Sequence, residues 1–257
     1  MIQRAIQSQI EKYLFKGKAI IIYGARQVGK TTLIREIQKK FPASEVLYLN
    51  CDEPDFRTTL TGVTSTELKE LIGRKKIIFM DEAQRVKNIG LTLKLFVDNF
   101  PDRQVVATGS SSLDLSNEIV EPLTGRKYEF QLFPFALAEL HRKHSKIELN
   151  RLLEKRMILG MYPEIVEKPD EAETLLKSLA SSYLYKDILQ YQSLKRPELL
   201  EKMLVALALQ IGGEVSYTEL ANLLAVNKDT VANYTSFWKR RSSSFACRRS
   251  AAICAAN

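Results

Sequence analysis

Read only for apolar and polar positions, the chain runs in two periods. Short apolar runs at Ala19–Tyr23, Val46–Leu49, Ile77–Met80 and Gln104–Ala107, and the alternating stretch Tyr128–Leu132, have the length and composition of strands. The run at Ile77–Met80 suits a strand covered on both faces. Between these runs the apolar residues recur at helical spacing, as with Leu33, Ile34 and Ile37. Strands alternating with helices predict an α/β fold with a mainly parallel sheet covered by helices. From Pro169 onward the period is helical throughout, over Glu171–Gln192 and Pro197–Gly212. Gly213–Tyr234 reads as a helix-turn-helix, with Ser216 capping a helix that carries Leu220, Ala221 and Leu224, and Asn227 starting a second that carries Val231.

The first apolar run leads directly into Gly24-Ala25-Arg26-Gln27-Val28-Gly29-Lys30-Thr31-Thr32. This is the G-x-x-x-x-G-K-[ST] pattern in the strand–loop–helix context it requires, the Walker A motif. Glycine at both ends lets backbone N–H groups turn inward around phosphate oxygens. A helix starting near Lys30 adds the positive end of its dipole. The Lys30 ammonium reaches β- and γ-phosphates, and the Thr31 hydroxyl is a ligand for Mg²⁺.

KKIIFMDEAQ at Lys75–Gln84 supplies the second half, a Walker B strand with Asp81 at its carboxyl end. Asp81 is expected in the Mg²⁺ shell, and Glu82 is the group that orients and deprotonates an attacking water. The strand at Gln104–Ala107 delivers Thr108, Ser110 and Ser111 to the same sheet edge. One hydroxyl there, Ser110 in our assignment, hydrogen-bonds the γ-phosphate or the water; the competing reading is a serine-rich cap for the next helix. Arg126, just before the last strand, has two readings as well: a group that neutralises γ-phosphate charge, in the same chain or from a neighbour, or a surface ion-pair partner. His141 and His144 at i, i+3 are read as a solvated helix face rather than a metal pair, because no Cys or carboxylate ligand pattern lies nearby.

Charge changes the picture only at the end of the chain. The formal net charge is +8, a value that suggests nucleic acid. Yet Lys239, Arg240, Arg241, Arg248 and Arg249 provide five of those charges, leaving 33 basic and 30 acidic residues over 1–235. The second helix of the helix-turn-helix opens on a single base, Lys228, beside Asp229. That suits a packing module better than a groove reader, since phosphate neutralisation dominates DNA affinity. Residues 236–257 also hold two of the three cysteines and the one Trp, with no acid. Their Ser, Arg and Ala content is what out-of-phase codons give. Read one base out of phase, Phe-Trp and Trp-Lys force Leu and Glu, and one permitted reading is an amphipathic helix followed by a strand. We expect a frame-shifted tail, a truncated chain, and an apolar stripe of Leu220, Leu224 and Val231 left partly uncovered. Sequencing the coding DNA tests this. Three cysteines form no disulfide framework, the start of the chain lacks a signal-peptide core, and MLVALAL at Met203–Leu209 is too short to span a bilayer. A cytoplasmic protein with no membrane partner is the expectation.

GARQVGKTTL, YLNCDEPDFR, IIFMDEAQ, ATGSSS, LTGRKYEFQLFPF and GMYPEIV, in this order, resemble the prokaryotic AAA+-type P-loop ATPases that carry a C-terminal domain of unknown function. The resemblance covers residues 1 to about 235. It implies an ATPase domain at 1–145, a helical segment at 146–196 and a truncated winged-helix-like unit at 197–235, with the family's further C-terminal domain absent after the 236–257 tail. It also implies ATP as the nucleotide and a place for Arg126 as the family's Gly-Arg. The expected function is Mg²⁺-dependent ATP hydrolysis that drives or gates conformational change in a protein partner or appended domain, in a chain that can form homo-oligomers. The alternatives are a slow-turnover nucleotide switch and a DNA-binding ATPase acting through the helix-turn-helix.

Overall fold

The computed structural model describes residues 2–110, 122–181 and 197–241. They fall into two compact units, the first ending at Pro163 and the second beginning at Glu164.

The first unit is built on five parallel strands: β1 (Ala19–Gly24), β2 (Val46–Asn50), β3 (Ile77–Asp81), β4 (Gln104–Ser110) and β5 (Lys127–Leu132). Their order is β2-β3-β4-β1-β5. Side chains of one strand alternate between faces, and here both faces are apolar. Ile20 and Ile22 of β1 join Phe79 and Val106 in a core with Ile10 of α1 (Ala5–Lys12) and Leu33, Ile34 and Ile37 of α2 (Lys30–Gln38). Ala19 and Ile21 join Ile78, Met80, Val105 and Ala107 in a second core on the other side. There they meet Leu60 of α3 (Pro54–Leu60), Leu68 of α4 (Ser65–Ile72) and Leu93 and Phe96 of α5 (Ile89–Asn99). Burial on two faces explains why the runs of β1 and β3 read as continuous apolar stretches, whereas the edge strand β5 alternates, with Glu129 and Gln131 exposed. It also fixes register, since a one-residue slip would exchange the two cores. The register is Gly24 beside Ser110 and Leu132, with Met80 beside Ala107. The carboxyl ends of β1, β3 and β4 therefore lie at one edge.

The second unit is helical among its described residues. Helices at Pro197–Ala208, Tyr217–Leu224 and Lys228–Arg241 pack around Leu199, Met203, Ala206, Leu220, Ala221, Val231 and Tyr234. The Ser216 hydroxyl accepts from Glu219 N, and Asn227 Oδ1 accepts from Asp229 N, so both helix starts lie where the sequence puts them. The expected uncovered stripe does not occur. Leu220 and Val231 are 0% and 1% exposed because Leu199, Met203 and Ala206 of the preceding helix cover them, with Leu224 packed alongside. The last helix continues to Arg241, six residues into the stretch read as a tail; 242–257 lie outside the described residues. The helical expectation over 182–192 lies outside them too, as does Ser111.

A smaller correction concerns His141 and His144. The helix before them ends at Leu140, so the pair sits in a turn, with His141 Nδ1 3.2 Å from the His144 carbonyl oxygen.

Candidate functional site

The loop between β1 and α2 takes its shape from residues with unusual backbone angles. Gln27 and Gly29 both have positive φ, 60° and 92°, and such alternation turns successive N–H groups into one concavity. Gly24 is required by contact rather than by φ: a Cβ there would stand 2.6 Å from the Leu132 carbonyl oxygen and 2.9 Å from a Val28 methyl carbon. α2 begins at Lys30, immediately after the loop. Its first N–H groups have no intrahelical partner, which makes this end an anion site.

Lys30 is buried, and its ammonium donates to the carbonyls of Gly24 (2.9 Å) and Ala25 (3.1 Å). It lies 3.8 Å from a Glu82 carboxylate oxygen. Burial lowers its pKa, while Glu82 and Asp81 oppose that shift. Thr31 donates its hydroxyl to Asp81 Oδ2 at 2.7 Å. Tyr48, from β2, donates to the same oxygen at 2.7 Å. The Tyr48 hydroxyl is held well above its ordinary pKa, first by burial and then by that bond to Asp81. Thr108, fully buried on β4, donates to Asp81 Oδ1 and accepts from the Glu82 backbone N–H at 3.1 Å. The carboxylate at the end of β3 is thus fixed by three hydroxyls from three other elements.

Glu82 occupies the left-handed region, φ 52° and ψ 41°, an uncommon conformation for a non-glycine residue. That conformation turns the chain sharply between β3 and the short 3₁₀ turn at Ala83–Arg85. Gln84 then reaches back: its amide nitrogen donates to Glu82 Oε2 and to Ser110 Oγ, the latter at 3.3 Å. Gln84 Oε1 is buried without a hydrogen-bond partner among the described residues.

Of the residues singled out from sequence, Lys30, Thr31, Asp81 and Glu82 come together, and Ser110 joins them through Gln84. Thr32 follows in the first turn of α2. Arg126 does not join them. It precedes β5 at the amino end of the sheet, where its carbonyl accepts from Ala19 N, and its guanidinium pairs with Asp98 at 2.6 Å. The whole six-residue strand separates it from the loop edge, roughly 20 Å at about 3.3 Å per residue. The surface ion-pair reading holds within this chain; action on its own phosphate loop does not.

Sequence reasoning missed Tyr48, Gln84 and Arg4. Tyr48 carried a signal, as a polar-tipped aromatic within a strand that runs beside the Asp81 strand. Arg4 carried none. It is buried beside the loop, donating through Nη1 to the Val28 carbonyl at 2.8 Å.

Comparison with known proteins agrees with this fold. An AAA domain family model matches residues 16–141, and a model described as a domain of unknown function (DUF8612) matches 150–251. Protein MJ1544 of Methanocaldococcus jannaschii is 27% identical over 91% of this chain and 57% of its own length. A Haemophilus influenzae protein is 26% identical over 84% and 57%. The chain thus spans little more than half the length of the curated relatives it matches. The Walker-type ATPase PABY2304 of Pyrococcus abyssi has the same fold, with a TM-score of 0.62 at 17% identity, covering 94% of this chain and 90% of that one. No helix among the described residues is long and apolar enough to cross a membrane. The phosphate loop, the Asp-Glu pair and the five-stranded parallel sheet all lie within the span of the AAA match, and the chain has the fold of the P-loop ATPases.

Proposed function

We propose that this protein binds ATP with Mg²⁺ and hydrolyses it, using the reaction to drive or gate conformational change in a protein partner or an appended domain. The observation that carries the reading is the convergence on one sheet edge of Lys30, Thr31, Asp81 and Glu82, with Thr31 2.7 Å from Asp81 and Lys30 3.8 Å from Glu82.

The residues fit both groups. The positive φ of Gln27 and Gly29 gives the loop the concave backbone that collects N–H groups around an anion. Thr31 and Asp81 offer the hard oxygen ligands that Mg²⁺ takes, together with substrate phosphates and water. Bound there, Mg²⁺ would neutralise charge on the phosphate oxygens. Lys30 would exchange the Gly24 and Ala25 carbonyls for phosphate oxygens, a better match for a desolvated cation. Glu82 takes a proton from the attacking water at a carboxylate oxygen. Water oxygen then bonds the γ-phosphorus as the bond to the β,γ-bridging oxygen breaks, giving ADP and phosphate. Gln84 holds Glu82 in place through Oε2 and ties it to Ser110. Loss of the γ-phosphate would free both, a means of passing hydrolysis on to the turn after β3 and the end of β4.

Phosphate release from Mg-ATP by the full chain, beside its Glu82→Gln variant, tests the proposal. Turnover that disappears in Glu82→Gln supports it. Absent turnover and no thermal shift with ATP would refute it. A shift of several degrees without turnover would favour a nucleotide switch, since ligand at a hundred times its dissociation constant adds about 2.7 kcal/mol.

A further inference from the structure

Arg4 lies ahead of residues 16–141, the span of the AAA match, and twenty residues before the loop begins. It is nonetheless among the most enclosed charges of the first unit, at 9% exposure. Each of the three guanidinium nitrogens donates a hydrogen bond. Nε bonds Glu139 Oε1 at 3.1 Å, Nη1 bonds the Val28 carbonyl at 2.8 Å, and Nη2 bonds the Phe133 carbonyl. The cation also stands 4.8 Å from the centre of the Phe135 ring. Glu139 is fixed in turn: Oε1 accepts from Ala5 N at 2.7 Å and Oε2 from Ala136 N at 2.9 Å. A buried ion pair is weak evidence for stability, because desolvation offsets most of its attraction. So closely specified an arrangement calls for another explanation.

That explanation lies in the peptide between Val28 and Gly29. A trans peptide is planar and carries its C=O and N–H on opposite edges. Holding the Val28 carbonyl on Arg4 therefore fixes the direction of the Gly29 N–H. Gly29 is the residue before the first turn of α2, with φ 92°, and only a glycine takes that angle without strain. Such a peptide is free to flip unless something holds one edge. A cationic donor on the carbonyl also polarises the peptide and makes its N–H a stronger donor. A Cβ on Gly29 would meet only Pro163 and Arg4 Nη1, at 3.8 and 3.9 Å, so the guanidinium is a wall of the loop itself.

We propose that Arg4, braced by Glu139 and Phe135, is a positioning residue of the phosphate loop that sets the Gly29 N–H toward a bound phosphate. The proposal rests on the nucleotide-binding reading above. It makes the segment before the AAA domain part of the nucleotide site.

The test compares Arg4→Gln with Leu68→Ala in the full chain. Leu68 is fully buried in the core on the far face of the sheet, a cluster separate from the one that holds Ala25 and Val28 of the loop. Both variants lower the melting temperature; only Arg4→Gln should weaken Mg-ATP, by about ten- to a hundredfold, the effect of one charge-assisted donor. Arg4→Lys, which keeps the cation and loses the fork, should fall between Arg4→Gln and the unaltered chain. The Gly29 amide resonance of the nucleotide-free protein should shift in Arg4→Gln and stay in Leu68→Ala. Affinity within about twofold of the unaltered chain, or loss that merely tracks melting temperature in all three variants, overturns the proposal. If the unaltered chain binds no nucleotide, the ATPase reading fails, and an unmoved Gly29 amide then refutes the role of Arg4 on its own. Should Arg4→Gln not fold, Arg4→Lys and Glu139→Gln carry the same two measurements.

Discussion

The two units of this chain use their polar residues in opposite ways. In the first, Thr31, Tyr48 and Thr108 point their hydroxyls at a single carboxylate, and Lys30 is buried against two carbonyls and near Glu82. In the second, the side-chain hydrogen bonds of Ser216 and Asn227 close helix starts. Its apolar residues divide between a core around Met203 and Leu220 and exposed positions such as Leu209 and Ile211, at 82% and 86%. Parallel strands bring distant polar residues to one edge, where a ligand can engage them all. A three-helix cluster offers no such edge, so its sequence goes mostly into packing.

The comparison breaks or sharpens at four places. The largest effect belongs to Glu82→Gln, which should lower kcat by about a hundredfold or more while leaving ATP affinity within about threefold. Lys30→Ala should instead abolish measurable binding. A Glu82→Gln variant that turns over normally would remove the site from the first unit altogether.

Next comes Thr108→Val. It removes the donor to Asp81 Oδ1 and leaves the Glu82 N–H without its acceptor. Leaving buried groups unpaired costs about 1–3 kcal/mol, so kcat/KM should fall by about five- to a hundredfold. Ser110→Ala removes only an acceptor from Gln84 and should cost less. The reverse ranking would make Ser110 the principal hydroxyl.

Leu220→Ala then tests separation of the units. Truncating a fully buried Leu costs about 2–5 kcal/mol, felt in denaturant unfolding of the helical unit, with ATP affinity unchanged. A parallel loss of affinity would tie the two together.

The smallest effect concerns Cys51, whose thiol is pushed up to about 12 by burial and by Asp81, Asp52 and Glu82 nearby. In a chain with Cys247 and Cys254 replaced by Ser, Cys51 should resist thiol reagents at pH 8 until the protein unfolds. A raised thiol pKa favours the folded state below the unfolded value of about 8.5. That contribution is present in full below pH 8.5 and declines as pH rises from there toward 12.

Local chemistry was legible where one segment contains the whole argument. The apolar run, two glycines and Lys-Thr at 24–31 specify a strand, a loop and a helix without help from distant residues, and Asp81-Glu82 at a strand end was equally plain. Ser216 and Asn227 announced their helices by the same logic. The choice between Thr108 and Ser110 was not legible. Both sit on β4, and only the parallel register with β3 puts Thr108 against Asp81. The stripe of Leu220 and Val231 read as uncovered because its cover, Leu199 and Met203, comes from a separate helix.

The sequence by itself determined the strand–helix alternation, the phosphate loop and the acidic pair, because each is fixed by propensity, period and spacing over a dozen residues. Tertiary structure decided which hydroxyls hold Asp81, sent Arg126 to the far end of the sheet to pair with Asp98, and carried Arg4 to the loop. These are contacts between residues 24 to 135 positions apart. Their partners are chosen by which faces the two cores bury, and that selection has no local period to read.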